Sequence, residues 1–300
     1  MGCSESTLCR EIKRNSTDKG NYLWDKAHAK AMERRKRSTS NSVKDPAIVW
    51  EALNLLKEED WSPEQISADM RKRGKGISHE LIYRHTRADR TGELASHCRH
   101  KMKYNRHGRP DRTTKVRNIP GRVSIHERPA GADGTRFGDW EMDTIVGKDG
   151  KGAIVTLTER STNMILMERL PMGKHPEPLA KAVVRMLFPY RHAVRSITTD
   201  NGSEFRCHNL ISRGLAPKGK KIPNLVFFAD SYASWQKGAI ENANKLIRQY
   251  IPKGTDFATL SDDFIRKIQY KINRRPREKL NFDSPKNVFF RKIANFALAS

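Results

Sequence analysis

Three acidic residues far apart along the chain are of a type and in positions that suit metal-dependent phosphoryl chemistry. Asp143 lies inside a predicted strand, Asp200 directly follows another, and Glu241 lies on a predicted helix. Mg²⁺ prefers oxygen ligands and keeps open positions for phosphate oxygens. In a two-ion site, one ion activates water or a 3′-hydroxyl and the other stabilises the leaving oxygen. This chemistry requires the three carboxylates to converge on rigid elements.

The elements that must position these carboxylates follow from hydrophobic patterning. Strands are predicted at 140–146, 153–158, 164–168, 196–199 and 225–228, and helices at 179–187 and 239–250. Short turns join the first three strands, which favours an antiparallel meander. The order β-β-β-α-β-(α)-β-α is that of a ribonuclease H-like α/β fold, with Asp143 and Asp200 on neighbouring central strands.

The last helix of this region supports the same interpretation. At about 100° per residue, Lys245 and Arg248 fall on either side of Glu241. The opposite face carries the apolar residues Ala243, Leu246, Ile247 and Tyr250. We therefore expect Lys245 and Arg248 to hold a DNA backbone beside Glu241. A solvated i,i+4 Glu–Lys pair is the simpler alternative, but it accounts only for Lys245.

Composition points to a polyanionic partner. The 300 residues include 58 Lys+Arg and 34 Asp+Glu, a formal net charge of +24. This excess favours nucleic acid first and an anionic membrane surface second. No run approaches the roughly 18–20 apolar residues that a spanning helix needs. The four cysteines form no C-x-x-C pair, so a disulfide framework or a structural zinc site is not expected.

Residues 45–90 are predicted to form a helix-turn-helix DNA-binding domain of three short helices. Asp45-Pro46 begins the first, Ser62 and Gln65 form a capping box at the second, and Ser78 caps the third. The third helix of such a unit enters the major groove. Its early residues, expected to meet base edges, are His79, Glu80, Tyr83 and Arg84. A purely structural three-helix bundle is the alternative.

Basic segments separate the predicted domains. Residues 17–44 are interpreted as a basic linker, and 91–130 as a second one, because 97–128 contain ten Lys/Arg and only two acids. The catalytic core is expected at 131–260. A C-terminal helical segment is expected at 261–300, with helices from Asp262 to Ile272 and from Ser284-Pro285 to about Phe290. This segment is expected to pack on the core, with the arginines at 274, 275 and 277 as an alternative phosphate patch.

Several segments together resemble transposases of the insertion-sequence-thirty family. They are GDWEMDT at 138–144, TTDNGSEF at 198–205, WQKGAIEN at 235–242, NRRPR at 273–277 and WSPEQI at 61–66. The resemblance implies a DDE recombinase that cuts transposon ends and joins them to target DNA using Mg²⁺ or Mn²⁺, expected as two ions. By motif position, Asp143, Asp200 and Glu241 would be the metal-binding triad. His208 would orient groups near the site or contact substrate.

Two features depart from the family pattern. Residues 1–16 resemble only the last helix of a first helix-turn-helix, so we expect a frayed remnant of that module. The interval between Asp200 and Glu241 is longer than usual, and it contains Lys218-Gly219-Lys220-Lys221. We interpret the extra length as a surface loop.

Nearby residues have competing interpretations. Asp139 and Glu141 share a strand face with Asp143, so parity does not choose among them; the family motif chooses Asp143. Asp230 is interpreted as a turn or cap residue. Trp235 is expected to pack under the loop before the last helix, with DNA stacking as the alternative. A zinc site at Cys207-His208 is disfavoured because no second ligand pair follows.

The sequence as a whole predicts a DNA transposase. A helix-turn-helix would read terminal inverted repeats, and a ribonuclease H-like core would perform cleavage and strand transfer on transposon ends and target DNA. We expect a cytoplasmic, nucleoid-associated protein that forms a homo-oligomer when it pairs two ends. Retroviral-type integrases share the core, but a zinc-binding N-terminal module is expected of them. The alternative function is a DNA-binding repressor with an inactive core.

Overall fold

A computed structural model describes residues 2–37, 44–102, 119–216, 224–231 and 233–298. The chain divides into two compact units, Met1–Val49 and Trp50–Ser300. The helices are α1 (Glu5–Asn15), α2 (Trp24–Arg37), α3 (Pro46–Glu59), α4 (Pro63–Lys72), α5 (His79–Ala88), α6 (Glu93–His97), α7 (Pro176–Leu187), α8 (His208–Leu215), α9 (Gly238–Tyr250), α10 (Asp262–Arg274) and α11 (Pro285–Leu298). The strands are β1 (Asp139–Val146), β2 (Ala153–Glu159), β3 (Ile165–Leu170), β4 (Ser196–Thr199) and β5 (Val226–Phe228).

The first unit corrects the linker predicted for residues 17–44, because that segment contains helix α2. Alanine, lysine and arginine are strong helix formers, and a run of cations is favourable at a helix C-terminus. Lys30 donates to the carbonyl of Ser16 at 2.8 Å, and Arg34 donates to the carbonyl of Arg14 at 3.0 Å. Side chains of α2 therefore donate hydrogen bonds to carbonyl groups at the C-terminal end of α1. Helix α1 is thus not the isolated helix that the sequence predicted.

The structure does not bear on three other predictions. Fraying of residues 4–15 concerns solution dynamics and stays a prediction. Parts of both predicted basic linkers, residues 38–43 and 103–118, lie outside the described residues. So does the predicted extra loop, because residues 217–223 are not described.

Helices α3, α4 and α5 form as the capping signals predicted. Ser62 Oγ accepts from the backbone N–H of Gln65 at 3.3 Å, and Gln65 Oε1 accepts from the N–H of Ser62 at 2.9 Å. Ser78 Oγ accepts from the N–H of Leu81 at 3.3 Å, which caps α5. Buried apolar side chains fill the space between the three helices, among them Ala52, Leu56, Ile66, Met70 and Ile82.

The helical part of the second unit packs directly on the core. Asp60, after α3, contacts Nδ1 of His97 at 2.7 Å and Nζ of Lys271 at 2.9 Å. It also accepts from the hydroxyl of Tyr250 at 3.2 Å. The start of the second predicted linker takes part in this packing, because residues 93–97 form α6 and His97 contacts Asp60. It is therefore not flexible along its whole described length.

A five-stranded mixed sheet forms the centre of the core. Its order is β3-β2-β1-β4-β5; β1, β2 and β3 are antiparallel neighbours, while β4 and β5 run parallel to β1. With α7 between β3 and β4, α8 between β4 and β5, and α9 after β5, this is the predicted ribonuclease H-like α/β fold. β1 lies between β2 and β4 in the sheet, and helices pack on both of its faces.

The two faces of β1 serve separate apolar clusters. Trp140 and Met142 point into a cluster that includes residues of α7, α8 and α11. Ile145 points to the other face, into a cluster with residues of α9 and α10. Since side chains alternate along a strand, the acidic residues at odd-numbered positions of β1 face α9. The helix that bears Glu241 therefore packs on the face that carries Asp143.

The C-terminal segment packs on the core as predicted, with two corrections. Helix α11 continues to Leu298, beyond the predicted end near Phe290. The arginine patch is wrong for Arg275, which is fully buried and donates to the hydroxyl of Tyr250 at 2.7 Å. Internal oxygen acceptors bind its guanidinium, and surface phosphate cannot reach it. None of the helices described here has the length and apolar content needed to cross a bilayer.

Candidate catalytic site

Asp143 and Asp200 come together toward the carboxyl ends of the two neighbouring parallel strands β1 and β4. β1 and β4 are parallel neighbours in which Asp139 pairs with Ser196 and Glu141 with Thr198. Continuing this register by two residues brings Asp143 beside Asp200. The ammonium of Lys237 lies 3.0 Å from Oδ2 of Asp200 and 3.9 Å from Oδ1 of Asp143. The two predicted metal ligands therefore share one cationic group.

The sequence did not single out Lys237 as a site residue. It ends a short 3₁₀ turn, Ser234–Lys237, immediately before α9, and its side chain is only 9% exposed. Burial raises the pKa of Asp143, Lys237 opposes this effect, and the negative charges of Asp200 and Glu204 add to it. A positive charge between the carboxylates offsets their repulsion. A signal was available, because Lys237 lies inside the WQKGAIEN motif.

Asn244 is a second residue that the sequence did not identify. Its Nδ2 donates to Oδ2 of Asp143 at 2.9 Å, and its Oδ1 accepts from the hydroxyl of Thr156 at 3.1 Å. Thr156 pairs with Asp143 across the β1–β2 ladder. Asn244 thus fixes the orientation of the Asp143 carboxylate. It lies three residues after Glu241, on the same side of α9.

Glu241 is near the pair but does not complete a metal cluster. Among the described residues, no three His, Cys, Asp or Glu side chains lie close enough together to hold one metal ion. Glu241 instead lines a cavity of about 630 Å³ with Lys245 and Arg248. Three further cations line the same cavity, namely Arg99, Lys101 and Lys253. Glu241, the third predicted ligand, therefore lines a basic cavity together with five Lys and Arg residues.

The loop after β4 depends on a glycine. Oδ1 of Asp200 accepts from the N–H of Gly202 at 2.9 Å. A Cβ at Gly202 would lie 2.6 Å from Oε2 of Glu204 and 3.0 Å from Oδ1 of Asp200. Glu204 is itself held by the hydroxyl of Thr144 at 2.9 Å and by Lys174 Nζ at 3.0 Å. The Asp-Asn-Gly sequence is thus more than a surface turn, because its glycine makes room for two carboxylates.

Asp139 and Glu141 have structural partners. Asp139 accepts two hydrogen bonds from Arg136, at 2.9 and 2.7 Å, and one from Ser196 Oγ at 2.6 Å. Glu141 accepts from Nε of Arg160 at 2.9 Å and from the backbone N–H of Ile240 at 2.8 Å. Burial raises the pKa of Glu141 despite these contacts. Glu141 thereby fixes the first turn of α9, the helix that carries Glu241.

His208 is fully buried, so the predicted contact with substrate is wrong. Its Nε2 lies 3.1 Å from the carbonyl oxygen of Gly121, and its ring packs edge-on against Phe228. An orienting role stays a prediction. Asp230 lies in a turn, as predicted, where it accepts from Gln236 and contacts His126, both at 2.8 Å.

Trp235 is 78% exposed, so the prediction that it packs under the loop is wrong. The residues that follow it use their side chains to fix the turn. Gln236 bonds to Asp230, and Lys237 contacts Asp200. Trp235 is left facing solvent, two residues before the lysine that contacts Asp200.

The predicted DNA-contact residues differ in accessibility. On α5, His79, Glu80 and Arg84 are exposed and Tyr83 is half-buried. On α9, Lys245 is exposed. Arg248 donates to the carbonyls of Ile251 and Pro252, at 3.4 and 3.2 Å, and burial lowers its pKa. Its guanidinium caps the C-terminus of α9 at the edge of the basic cavity.

The donor atoms at the sheet edge suit a hard divalent cation. Asp143 and Asp200 offer carboxylate oxygens, which Mg²⁺ and Mn²⁺ prefer. Their shared contact with the Lys237 ammonium shows that a cationic group fits between them. Asp143 and Asp200 therefore fit a divalent metal, and Glu241 on α9 does not form a three-residue cluster with them in this structure.

No protein-family model matches this chain. The chain is 40% identical to the transposase for insertion sequence element IS4351 of Bacteroides fragilis, over 98% of this chain and 89% of that protein. It is 32% identical to the IS1086 transposase of Cupriavidus metallidurans, over 98% of this chain and 88% of that protein. The transposase InsI for IS30A of Escherichia coli K12 is 31% identical, over 97% and 77%.

A crystal structure of the catalytic core domain of BIV integrase aligns with 53% of this chain and 97% of its own, with a TM-score of 0.39 and 15% identity. The fold assignment rests on the strand order described above. The identities and coverages of the transposases establish the family. The chain belongs to the IS30 family of insertion-sequence transposases.

Proposed function

We propose that this protein is a DNA transposase that binds transposon terminal inverted repeats and catalyses metal-dependent strand cleavage and strand transfer into target DNA. Membership of a transposase family supports the reaction class. The observation that carries the proposal is the pairing of Asp143 and Asp200 around one cationic group at the edge of the sheet. The side chain of Asp200 is half-exposed and that of Asp143 partly exposed, so a phosphodiester can approach the two carboxylates.

Asp143, Asp200 and Glu241 are the residues that would hold Mg²⁺ or Mn²⁺, expected as two ions. When bound, the metal supplies an activated oxygen nucleophile and stabilises the leaving oxygen. The chain's own residues prepare this site. Asn244 orients Asp143, and Glu141 fixes the start of α9. The ammonium of Lys237 lies where it can also contact a phosphate oxygen of the strand being cut.

Binding to double-stranded DNA would use two surfaces of the second unit. The exposed residues of α5 would read base edges in the major groove. The basic cavity beside Glu241 would hold the backbone near the carboxylates, with Lys245 as its exposed cation on α9. Because each phosphate contact releases counterions, we expect affinity to fall by orders of magnitude between about 50 and 200 mM salt. An affinity independent of salt would contradict this electrostatic model.

The decisive experiment is cleavage of a labelled duplex that ends in the element's inverted repeat. We expect nicking at the repeat boundary that requires Mn²⁺ or Mg²⁺ and is abolished by Asp200→Ala. The matched control is Asp263→Ala, at an exposed acid on α10. Binding without cleavage by the wild-type chain, or equal cleavage by Asp200→Ala, would favour the repressor alternative.

Transposition pairs two DNA ends, so we propose that the protein acts as a homo-oligomer. Light scattering of the protein with and without the end duplex measures this directly. We expect an assembly of at least two chains on paired ends. A complex that contains only one chain throughout the reaction would contradict the oligomer.

A further inference from the structure

Lys237 contacts both Asp143 and Asp200, and it is the least exposed of the three residues. Its ammonium donates a hydrogen bond to Oδ2 of Asp200 at 3.0 Å and lies 3.9 Å from Oδ1 of Asp143. Its side chain is 9% exposed, against 46% for Asp200 and 24% for Asp143. Two ionised carboxylates and one ammonium leave a net negative charge. A further cation is therefore attracted to the pair while the lysine is still bound to it.

The remaining hydrogen bonds to the two carboxylates, within the part of the chain that the structure describes, come from uncharged donors. Asp143 accepts from the backbone N–H of the residue that follows it and from Nδ2 of Asn244, both at 2.9 Å. Asp200 accepts from the N–H of Gly202 at 2.9 Å. These donors orient the carboxylates without Lys237. The lysine therefore supplies charge to the pair more than geometry.

The backbone is fixed on both sides of Lys237. On the N-terminal side, the carboxamide of Gln236 accepts from the N–H of Asp230 and donates to its Oδ2, both at 2.8 Å. On the C-terminal side, the N–H of Ile240 donates to Oε2 of Glu141 at 2.8 Å. Lysine carries its ammonium on a flexible four-carbon side chain. The ammonium can thus leave the carboxylates by side-chain rotation, without movement of the turn or of α9.

A divalent cation and the ammonium require the same carboxylate oxygens. Positive charges a few ångströms apart repel each other, and partial burial strengthens the repulsion. Binding of a divalent cation to Asp143 and Asp200 therefore favours a position of the ammonium away from them. An ammonium that has left its carboxylates needs another anion, and a phosphate oxygen is a strong acceptor for it.

We propose that Lys237 is a positioning residue that competes with the divalent metal ion for Asp143 and Asp200, and that its displaced ammonium binds a phosphate oxygen of the DNA. The phosphate contact rests on the proposed function. The competition keeps the metal affinity of the free protein low. DNA raises that affinity because a phosphate stabilises the displaced lysine, and metal and DNA strengthen each other's binding by the same factor.

The first test measures Mn²⁺ binding by the full-length protein without DNA, from the electron paramagnetic resonance signal of the free ion. The measurement is made at about pH 8, far above the ordinary carboxyl pKa, so that both acids are ionised in every variant. We expect Lys237→Met to bind Mn²⁺ about tenfold more tightly than the wild type, because the competing charge is gone. Asp200→Asn should abolish this binding, which identifies the site.

Methionine is unbranched and adaptable and carries no charge, so Lys237→Met is expected to fold with the carboxylates in place. The matched control is Lys174→Met, which removes a lysine that contacts Glu204 at 3.0 Å and should leave the affinity nearly unchanged. Unchanged or weaker binding by Lys237→Met, or an equal gain in Lys174→Met, would overturn the competition. Metal-dependent cleavage by the wild type would then show that the proposed function stands. Absence of both Mn²⁺ binding and cleavage would overturn the proposed function as well.

A second test follows the lysine itself in the wild-type protein. Acetylation by an amine-reactive ester, followed by peptide mass spectrometry, measures how fast each lysine is modified. We expect Lys237 to be modified several-fold faster with Mg²⁺ than with EDTA at constant ionic strength, while Lys174 keeps its rate. Addition of the end duplex together with Mg²⁺ should protect Lys237 again. A rate for Lys237 that Mg²⁺ leaves unchanged would overturn the displacement, and no protection by the duplex would overturn the phosphate contact.

Discussion

Strand β1 carries acidic residues on one face, both at its N-terminal end (the inner end, with Asp139 and Glu141) and toward its C-terminal end (the outer end, with Asp143). The two groups of carboxylates have different partners. At the inner end, Asp139 and Glu141 are buried, and arginines, a serine hydroxyl and a backbone N–H bind their oxygens. Toward the outer end, Asp143 shares a lysine with Asp200, and its side chain stays partly exposed. Residue type and strand parity are the same at both ends, so the partners of each carboxylate decide its role.

The difference shows how one strand can stabilise the fold and present reactive groups. Buried charges are tolerated when hydrogen bonds and opposite charges satisfy them. Asp139 and Glu141 meet that condition and hold β4, the β2–β3 turn and α9 in place. The charges of Asp143 and Asp200 are only partly compensated by Lys237, which leaves them able to bind another cation. Substitutions at the outer end are therefore expected to reduce DNA cleavage and leave the protein folded, whereas substitutions at the inner end are expected to reduce stability.

The largest effect is expected at the outer end. Asp143→Asn and Asp200→Asn should each reduce DNA cleavage by about 10³-fold or more, because each removes several kcal/mol of transition-state stabilisation through the metal. Single-turnover cleavage with Mn²⁺ measures the loss. Urea unfolding should show that both variants remain folded. Full activity in Asp143→Asn would break the comparison.

A large effect of another kind is expected at the inner end. Glu141→Ala leaves Arg160 buried without its partner and frees the first turn of α9, so the free energy of unfolding should fall by about 3–5 kcal/mol. Urea titration followed by circular dichroism measures it. The control is Glu177→Ala, which removes an exposed i,i+4 pair with Lys181 and should change stability little. Equal stability of the two variants would mean that Glu141 has no structural role.

Asp60 is another buried acid whose charge is compensated by its partners. It predicts that the stability of the protein depends on pH. Burial alone would raise its pKa, but hydrogen bonds from His97 and Lys271 outweigh burial and hold the pKa below 3.8. A depressed folded-state pKa contributes stability that is present above about pH 4 and lost as the pH falls through the folded value. Asp60→Asn should therefore cost about 1–3 kcal/mol at pH 7 and less near pH 2.

Unfolding of the wild type and Asp60→Asn in urea at both pH values measures this difference. Asp263→Asn, at an exposed acid on α10, provides the control and should show no such loss. A destabilisation of Asp60→Asn that is the same at both pH values would contradict a charge-dependent contact.

The smallest effect is expected at Trp235, two residues before Lys237. An exposed indole can stack on an unpaired base, which is worth about 1–3 kcal/mol. Trp235→Ala should weaken binding of a duplex with a single-stranded overhang about tenfold and leave a blunt duplex nearly unaffected. Trp50→Ala is the control, because Trp50 is 68% exposed on α3. Equal losses for the two variants would mean that exposure alone determines the effect.

Much of the fold could be predicted because local signals agreed with one another. Hydrophobic alternation located the five strands to within about two residues, and the capping box at Ser62 and Gln65 forms as predicted. Helix α2 was missed because its many cations resemble a solvated linker. Its stability depends on contacts with α1, which a local pattern does not contain.

The site was only partly predictable for the same reason. Asp143, Asp200 and Glu241 could be proposed from motifs, but Lys237, Asn244 and Glu204 gain their roles from contacts between separate elements. Trp235 was misassigned because an isolated tryptophan is normally buried. Its exposure follows from the way Gln236 and Lys237 fix the turn.

The sequence by itself determined the order of the elements, the basic character and the family resemblance, because these depend on composition, periodicity and short motifs. Only the tertiary structure decided which acids are bound in structural contacts and which remain available. A carboxylate's solvation and partners come from residues distant in sequence, such as Arg160 for Glu141 and Lys237 for Asp200. Those distances exist only once the sheet and α9 have packed.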